Sequence, residues 1–219
     1  MKYVIANWKM KMSAPQVLEW VNKFSTTALE TKVLIAPSFI HVPLLNDLQS
    51  KFPIELIGQD VSEYEKGSHT GEVGAFQLKE FCKFCIVGHS ERKESTKTKL
   101  KKIEVCLQNE ITPIVCFSNP KEIKRLKNRA CLFAWEDPTN ISKGGNYNEK
   151  DPIEIINGVK KIRKLLDIDI PLLYGGSVNR QNINKLVEIE ELDGVLVGNA
   201  SLDPKHFLNL IASYEVHRH

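Results

Sequence analysis

No apolar run in the sequence approaches the roughly 20 residues that a helix needs to cross a bilayer. The first residues lead directly into a strand-like segment and lack the long apolar core of a signal peptide. Both absences argue against a membrane or secreted protein. We therefore expect a cytoplasmic protein with no membrane partner.

Cysteine is scarce, and its count of five is odd. An odd number without a regular spacing argues against a disulfide scaffold and suits a reducing compartment. Cys82 and Cys85 form a C-x-x-C pair, which is found in redox motifs and in halves of zinc sites. The chain has no second pair and no histidine at ligand spacing, so we predict packing cysteines and no metal site.

The chain also lacks a strong charge of either sign, because 30 basic and 27 acidic residues leave a net charge of +3. So small an excess does not favour nucleic acid as a partner. The basic runs at residues 97–102 and 121–129 have helical spacing, and we interpret both as solvated helix faces.

Short, continuously apolar runs alternate with amphipathic helical patterns along the chain. Continuously apolar strands are typical of a parallel sheet covered by helices. Eight such units predict an α/β protein with a single (β/α)8 barrel domain over residues 1–219, shorter than the usual length of about 250 residues. The apolar spacing of Leu100, Ile103 and Leu107 predicts the fourth helix. The predicted strands are 3–8, 32–38, 54–60, 84–89, 112–117, 130–136, 171–177 and 194–199.

Polar residues follow three of the predicted strands, at the carboxyl ends where this fold carries its chemistry. They are Asn7 and Lys9 after the first strand, His89 and Glu91 after the fourth, and Glu136 after the sixth. A carboxylate that faces an imidazole suits proton removal next to a carbonyl group. We predict Glu136 as the base and His89 as a neutral electrophile at the start of a helix that Ser90 caps. Taken singly, His89 has a plainer interpretation as a loop histidine and Glu136 as a surface acid.

Two glycine-bearing loops follow the last two predicted strands, at residues 175–177 (GGS) and 198–200 (GNA). Glycines there let backbone N–H groups approach an anion, and these loops are the usual phosphate site of the barrel. Alone, the first loop would be a simple tight turn. Together, and with the cation of Lys9, the two loops predict a phosphorylated substrate.

Four motifs at matching barrel positions resemble the triosephosphate isomerase family: residues 6–10 (ANWKM), 88–92 (GHSER), 134–136 (AWE) and 174–177 (YGGS). The resemblance implies a TIM barrel that interconverts dihydroxyacetone phosphate and D-glyceraldehyde 3-phosphate without a cofactor. It implies that Asn7 and Lys9 bind the substrate and that Lys9, His89 and Glu136 are catalytic, with His89 polarising the carbonyl group and Glu136 removing the proton. It implies that Ser142, Ser177, Gly198 and Asn199 bind the phosphate group. It also implies that Glu91, Cys116 and Tyr174 lie behind the residues that contact the substrate and support them.

The sequence departs from the family in the lid that follows Glu136. Family members usually have proline directly after the base, whereas Asp137 precedes Pro138 here, and a tryptophan and the first tip glycine of the lid are missing. We predict that the lid closes but that turnover is lower than is usual for the family. The segment after Cys116 is also short, as in the compact archaeal form of the family.

Residues 67–72 (GSHTGE) resemble the loop through which subunits of the family pair, with Thr70 reaching toward the partner's site. We expect a homodimer, and a tetramer remains open. Two other functions also remain open. A different barrel enzyme would ignore both triose phosphates and bind another phosphorylated ligand. A non-catalytic barrel kept for assembly would not need Asn7, Lys9, His89 and Glu136 to converge at one mouth.

Overall fold

The computed structural model describes residues 1–25, 29–48, 54–128, 130–137 and 151–216. The strands in these ranges are β1 (Tyr3–Asn7), β2 (Lys32–Ala36), β3 (Glu55–Gly58), β4 (Phe84–Val87), β5 (Thr112–Phe117), β6 (Leu132–Trp135), β7 (Leu172–Tyr174) and β8 (Gly194–Val197). They are parallel and form a closed barrel in chain order, with β1 paired to β8. The predicted (β/α)8 barrel is therefore confirmed.

Helices connect these strands around the outside of the barrel. They are α1 (Ala14–Lys23), α2 (Val42–Asn46), α3 (Ala75–Leu78), α4 (Thr96–Gln108), α5 (Ile123–Leu126), α6 (Pro152–Arg163), α7 (Ile183–Val187) and α8 (Pro204–Val216). Within the described residues, no helix has the length and apolar character that crossing a membrane requires.

Two apolar layers explain why the strands are apolar on both faces. Side chains from all eight strands fill the barrel interior, and Ile5 of β1 belongs to this layer. Its neighbours Val4 and Ala6 belong to the second layer, which lies between the barrel and the helices. Cys82 and Cys85 are buried, as predicted for packing cysteines. The barrel thus has a filled core, and its polar residues are left to the strand ends.

Several strands end earlier than the sequence predicts. β7 ends at Tyr174 rather than at residue 177, and β8 ends at Val197 rather than at residue 199. In both places a glycine is the first residue after the strand, Gly175 after β7 and Gly198 after β8. The shorter strands release the two predicted phosphate loops from the sheet.

The interpretation of residues 97–102 as a solvated helix face holds for Lys97 and Lys101, which are exposed, but is wrong for Lys99 and Lys102. Lys99 and Lys102 on α4 are only 6% and 4% exposed, whereas Leu100 is 42% exposed. The buried face of α4 therefore begins with lysines, and its apolar packing comes from Ile103, with contributions from later residues of the helix. The physical reason is that acidic side chains lie beneath this helix and pair with both ammonium groups.

Candidate active site

The fold brings the predicted base and electrophile into contact at the carboxyl end of the barrel. Glu136 follows β6, His89 follows β4, and His89 Nε2 lies 3.0 Å from Glu136 Oε1. Lys9, which follows β1, places its Nζ 2.7 Å from Glu91 Oε1. Three separate segments thus supply an acid, an imidazole and an amine to one mouth of the barrel.

His89 is held in one tautomer by its own backbone. The His89 residue is 8% exposed, and its Nδ1 accepts a hydrogen bond of 3.2 Å from the backbone N–H of Glu91. Because Nδ1 accepts, the single proton of a neutral ring lies on Nε2, which faces Glu136. Burial lowers the pKa of His89, although the charge of Glu136 opposes this, and the nearby Lys9 cation lowers it further. The imidazole is therefore a neutral hydrogen-bond donor at pH 7.

Glu136 is almost completely buried and is held by Ser90. Its Oε2 accepts from the backbone N–H of Ser90 at 2.8 Å, and its Oε1 accepts from the Ser90 hydroxyl at 3.0 Å. The predicted capping role of Ser90 is wrong, because His89 occupies the N-cap of the short 3₁₀ turn at residues 90–92. Ser90 and His89 thus both contact the carboxylate of Glu136.

Lys9 is fixed by a ring of polar contacts around its backbone. Its φ of 52° lies in the left-handed region, which costs energy for a residue with a side chain. The Lys9 N–H donates to Asn7 Oδ1 at 3.1 Å, and the Lys9 carbonyl accepts from Ser38 Oγ and Gln59 Nε2, both at 3.0 Å. Sequence reasoning missed Ser38 and Gln59. Both lie near the ends of predicted strands, and that position is the signal by which they could have been found.

The two glycine loops border the amine and the acid. A Cβ on Gly198 would lie 3.9 Å from Lys9 Cε, so the loop after β8 runs beside the lysine. A Cβ on Gly175 would lie 3.2 Å from Glu136 Cγ, so the loop after β7 runs beside the base. Ser177 is buried, and Asn199 begins a 3₁₀ turn at residues 199–201. Of the predicted phosphate residues, Gly198 therefore lies beside Lys9, and the loop that leads to Ser177 begins beside Glu136.

The three residues predicted to lie behind the site differ in exposure. Glu91 keeps 58% of its side chain exposed and pairs with Lys9, whereas Cys116 and Tyr174 are completely buried. Burial raises the pKa of the Cys116 thiol well above its usual range, and the charge of Glu136 and a hydrogen bond with it act in the same direction. Tyr174 packs against Gly176, where a Cβ would lie 2.3 Å from the tyrosine oxygen.

An open cleft of about 280 Å³ adjoins Lys9 and His89. Residues 71–73, which belong to the long loop after β3, also line this cleft. Among the described residues, no group of three or more histidine, cysteine, aspartate or glutamate side chains is arranged to hold a metal ion.

A family model described as triosephosphate isomerase matches residues 2–214. The chain belongs to the triosephosphate isomerase family. It is similar to proteins named triosephosphate isomerase from Mycoplasmopsis pulmonis, with 32% identity over 95% of this chain and 96% of the relative, and from Aquifex aeolicus, with 30% identity over 97% and 99%. The protein of that name from Wolbachia pipientis is 29% identical over 97% of this chain and 93% of the relative. The predicted family and the predicted isomerase activity are thus confirmed.

The family's lid falls largely outside the described residues. Ser142, predicted to bind phosphate, lies there, as do all residues from 138 to 150. Asp137, which stands where the triosephosphate isomerase family usually has proline, is described and is 3% exposed. A second acid is therefore buried next to Glu136 at the start of the predicted lid.

Proposed function

We propose that Glu136 is the base and His89 the electrophile in the interconversion of dihydroxyacetone phosphate and D-glyceraldehyde 3-phosphate by this chain. The observation that carries the proposal is the contact of 3.0 Å between His89 Nε2 and Glu136 Oε1. This contact puts a carboxylate and a neutral donor close enough to serve adjacent carbons of one small substrate.

The proposed reaction is two proton transfers around an enediolate. Glu136 removes a proton from C1 of dihydroxyacetone phosphate, and the electron pair of that bond forms the double bond of the enediolate. His89 donates from Nε2 to the substrate oxygens on which negative charge develops, and it moves a proton between them. Glu136 then returns its proton to C2, which gives the aldehyde product with no net gain or loss of atoms.

Substrate binding in this proposal combines the charge of Lys9 with backbone N–H groups. Lys9 supplies a cation beside Asn7, and the loops that carry Ser177, Gly198 and Asn199 bind the phosphate. The closeness of Lys9 to Gly198 supports a substrate position that the lysine and this loop contact together. We expect Ser142 to complete the phosphate site.

We also propose a cytoplasmic homodimer formed through residues 67–72, with a tetramer as a further possibility. His69 stacks on Tyr64 with ring centroids 3.8 Å apart and nearly parallel planes, which stiffens the loop. Met10 and Ile40, near the open cleft, are 95% and 81% exposed. Large apolar side chains this exposed favour an interface on this face. Sedimentation equilibrium tests the proposal, and a monomer for the unmodified chain at micromolar concentration would contradict it.

A coupled triose phosphate isomerisation assay on the unmodified chain and Glu136→Asp tests the chemistry. The shorter side chain withdraws the carboxylate by more than ~1 Å, a displacement that can cost about 10²-fold, so we expect kcat to fall roughly 300-fold. Glu190→Gln, at an exposed acid far from the barrel mouth, is the matched control and should keep full activity. An unmodified chain that ignores both triose phosphates but binds another phosphorylated ligand would refute the substrate, and one that binds neither would indicate a non-catalytic barrel.

A further inference from the structure

Lys99 is a buried cation at an unusual place in α4. It lies in the first turn of the helix, where the positive end of the helix dipole disfavours a cation, and it is 6% exposed. A lysine in such a position needs strong partners. Lys99 Nζ donates to the backbone carbonyl of Cys116 at 3.1 Å and pairs with Glu122 Oε2 at 3.0 Å.

The carbonyl that Lys99 binds lies where two strands separate. The last paired residues of β4 and β5 are Val87 and Val115, and Cys116 is one residue beyond them. At this point the chain turns away from β4 at Gly88, whose φ is +74°. The ammonium of Lys99 therefore contacts β5 just past its last pairing with β4.

The aliphatic part of Lys99 packs against the other side of the same gap. A Cβ on Gly88 would lie 2.7 to 2.9 Å from the Cγ, Cδ and Cε atoms of Lys99. The lysine stem thus fills the space beneath Gly88, the residue directly before His89. The Lys99 side chain therefore contacts both strand ends. Its methylene groups pack against Gly88 after β4, and its ammonium group donates to Cys116 of β5.

Both strand ends carry the proposed chemistry. Gly88 leads into His89, and the carbonyl of Phe117, the residue after Cys116, accepts a hydrogen bond of 2.9 Å from the backbone N–H of Glu136. We infer that Lys99 is a positioning residue that sets the separation of these strand ends and thereby keeps His89 in register with Glu136. This inference rests on the proposed roles of His89 and Glu136. Lys102, one turn further along α4, differs because its hydrogen bonds go to the side chains of Asp60 and Glu94.

Lys99→Met tests the inference, because methionine keeps much of the stem and removes the ammonium. Displacing reacting groups by ~1 Å can cost about 10²-fold, so we expect kcat to fall by about 10- to 100-fold. The KM for dihydroxyacetone phosphate should change less than about twofold, since no substrate contact is removed. The matched control is Lys97→Met, an exposed lysine on the same helix, which should leave kcat and KM unchanged.

The double variant Lys99→Met with Glu122→Gln separates positioning from stability. Lys99→Met alone leaves the partly buried Glu122 carboxylate without its cation and should lower the thermal midpoint of unfolding. Neutralising both partners should recover much of the lost stability. A low kcat that persists in the double variant supports positioning. A kcat that returns together with stability would show a structural role only and would overturn the inference. The double variant also provides a folded protein if the single one fails to fold.

Nitrogen-15 NMR of the histidine rings gives a readout that is independent of turnover. We expect the His89 ring signals to shift in the double variant and to stay unchanged in Lys97→Met. Unshifted His89 signals together with an unchanged kcat would overturn the inference. If the unmodified chain fails to isomerise triose phosphates, the proposed function fails, while the NMR comparison still decides whether Lys99 positions His89.

Discussion

Replacing Lys102 by methionine is expected to destabilise the barrel strongly. Lys102 Nζ lies 2.6 Å from Asp60 Oδ1 and also contacts Glu94, and its side chain is 4% exposed. The substitution would leave the largely buried carboxylates of Asp60 and Glu94 without the Lys102 ammonium. Arg92 would remain as a cation, because its Nε lies 3.0 Å from Asp60 Oδ2, but its side chain is 56% exposed. Removing one partner of a buried ion pair typically costs about 3–5 kcal/mol, because the other charge stays buried without compensation.

This cost translates into a thermal shift that calorimetry can measure. For a chain of this length, 1 kcal/mol lowers Tm by about 2–4 °C, so Lys102→Met should lower Tm by roughly 6–20 °C at pH 7. Lys97→Met, exposed on the same helix, should change the free energy of unfolding by no more than about 0.5 kcal/mol. A loss below about 1 kcal/mol for Lys102→Met, the value typical of a surface ion pair, would refute this reasoning.

The contacts of Lys102 with Asp60 and Glu94 also predict how the stability difference between the unmodified chain and Lys102→Met depends on pH. Burial lowers the pKa of Lys102, but hydrogen bonds and charges from Asp60 and Glu94 raise it more, so the net shift is upward from 10.5. A cation with a raised pKa in the folded state contributes its full stability below the unfolded pKa and loses it as pH rises through the folded pKa. The difference between the unmodified chain and Lys102→Met should therefore be constant near neutral pH and narrow above about pH 10.5. A difference that widens there would contradict the assignment.

Three further results are expected. Because burial lowers the pKa of His89, its ring in the free protein should titrate below pH 6.5 in an NMR experiment, and a midpoint above 6.5 would be inconsistent with this. Because Nδ1 accepts from the Glu91 N–H, the neutral ring at pH 7 should carry its proton on Nε2. Gly175→Ala puts a Cβ 3.2 Å from Glu136 Cγ, so the Glu136 side chain must shift by a few tenths of an ångström. We expect kcat to fall by about 3- to 10-fold, and an unchanged kcat would argue that the reaction does not depend closely on the position of Glu136. Replacing residues 137–139 by the usual family hinge, with proline directly after Glu136, should raise turnover in the coupled assay; an unchanged rate would show that Asp137 does not limit the lid.

The barrel could be predicted because its signal is local and repeated. Val4, Ile5 and Ala6 are all apolar, and the structure uses each of them in one of two core layers. The position of the site followed from the same pattern, since parallel strands bring their carboxyl ends to one face. Strand ends were less predictable. Gly175 still donates its N–H to Trp135 at 2.8 Å although β7 has ended, so the boundary depends on contacts that no single segment contains.

The buried lysines of α4 show a different limit of sequence reasoning. A helical pattern identifies which residues share a face but not what lies under that face. Lys99 and Lys102 look like solvent-facing residues until Glu122 and Asp60, which are distant in sequence, are brought beneath them. Charge spacing alone favours solvent exposure for these lysines. Ion pairs with residues distant in sequence instead bury their side chains on the face of α4 where leucines would ordinarily be expected.

The resting partner of Glu136 could not be predicted for a related reason. The motif that contains His89 and Ser90 indicated the electrophile, but Ser90 was interpreted through its local capping tendency. In the structure its N–H and hydroxyl both donate to Glu136, a residue 46 positions away. These two hydrogen bonds hold the Glu136 carboxylate at a defined place. The proposed base therefore lies beside the proposed electrophile, and in the proposed reaction substrate binding draws Glu136 away from Ser90 while the Glu91 N–H continues to hold His89.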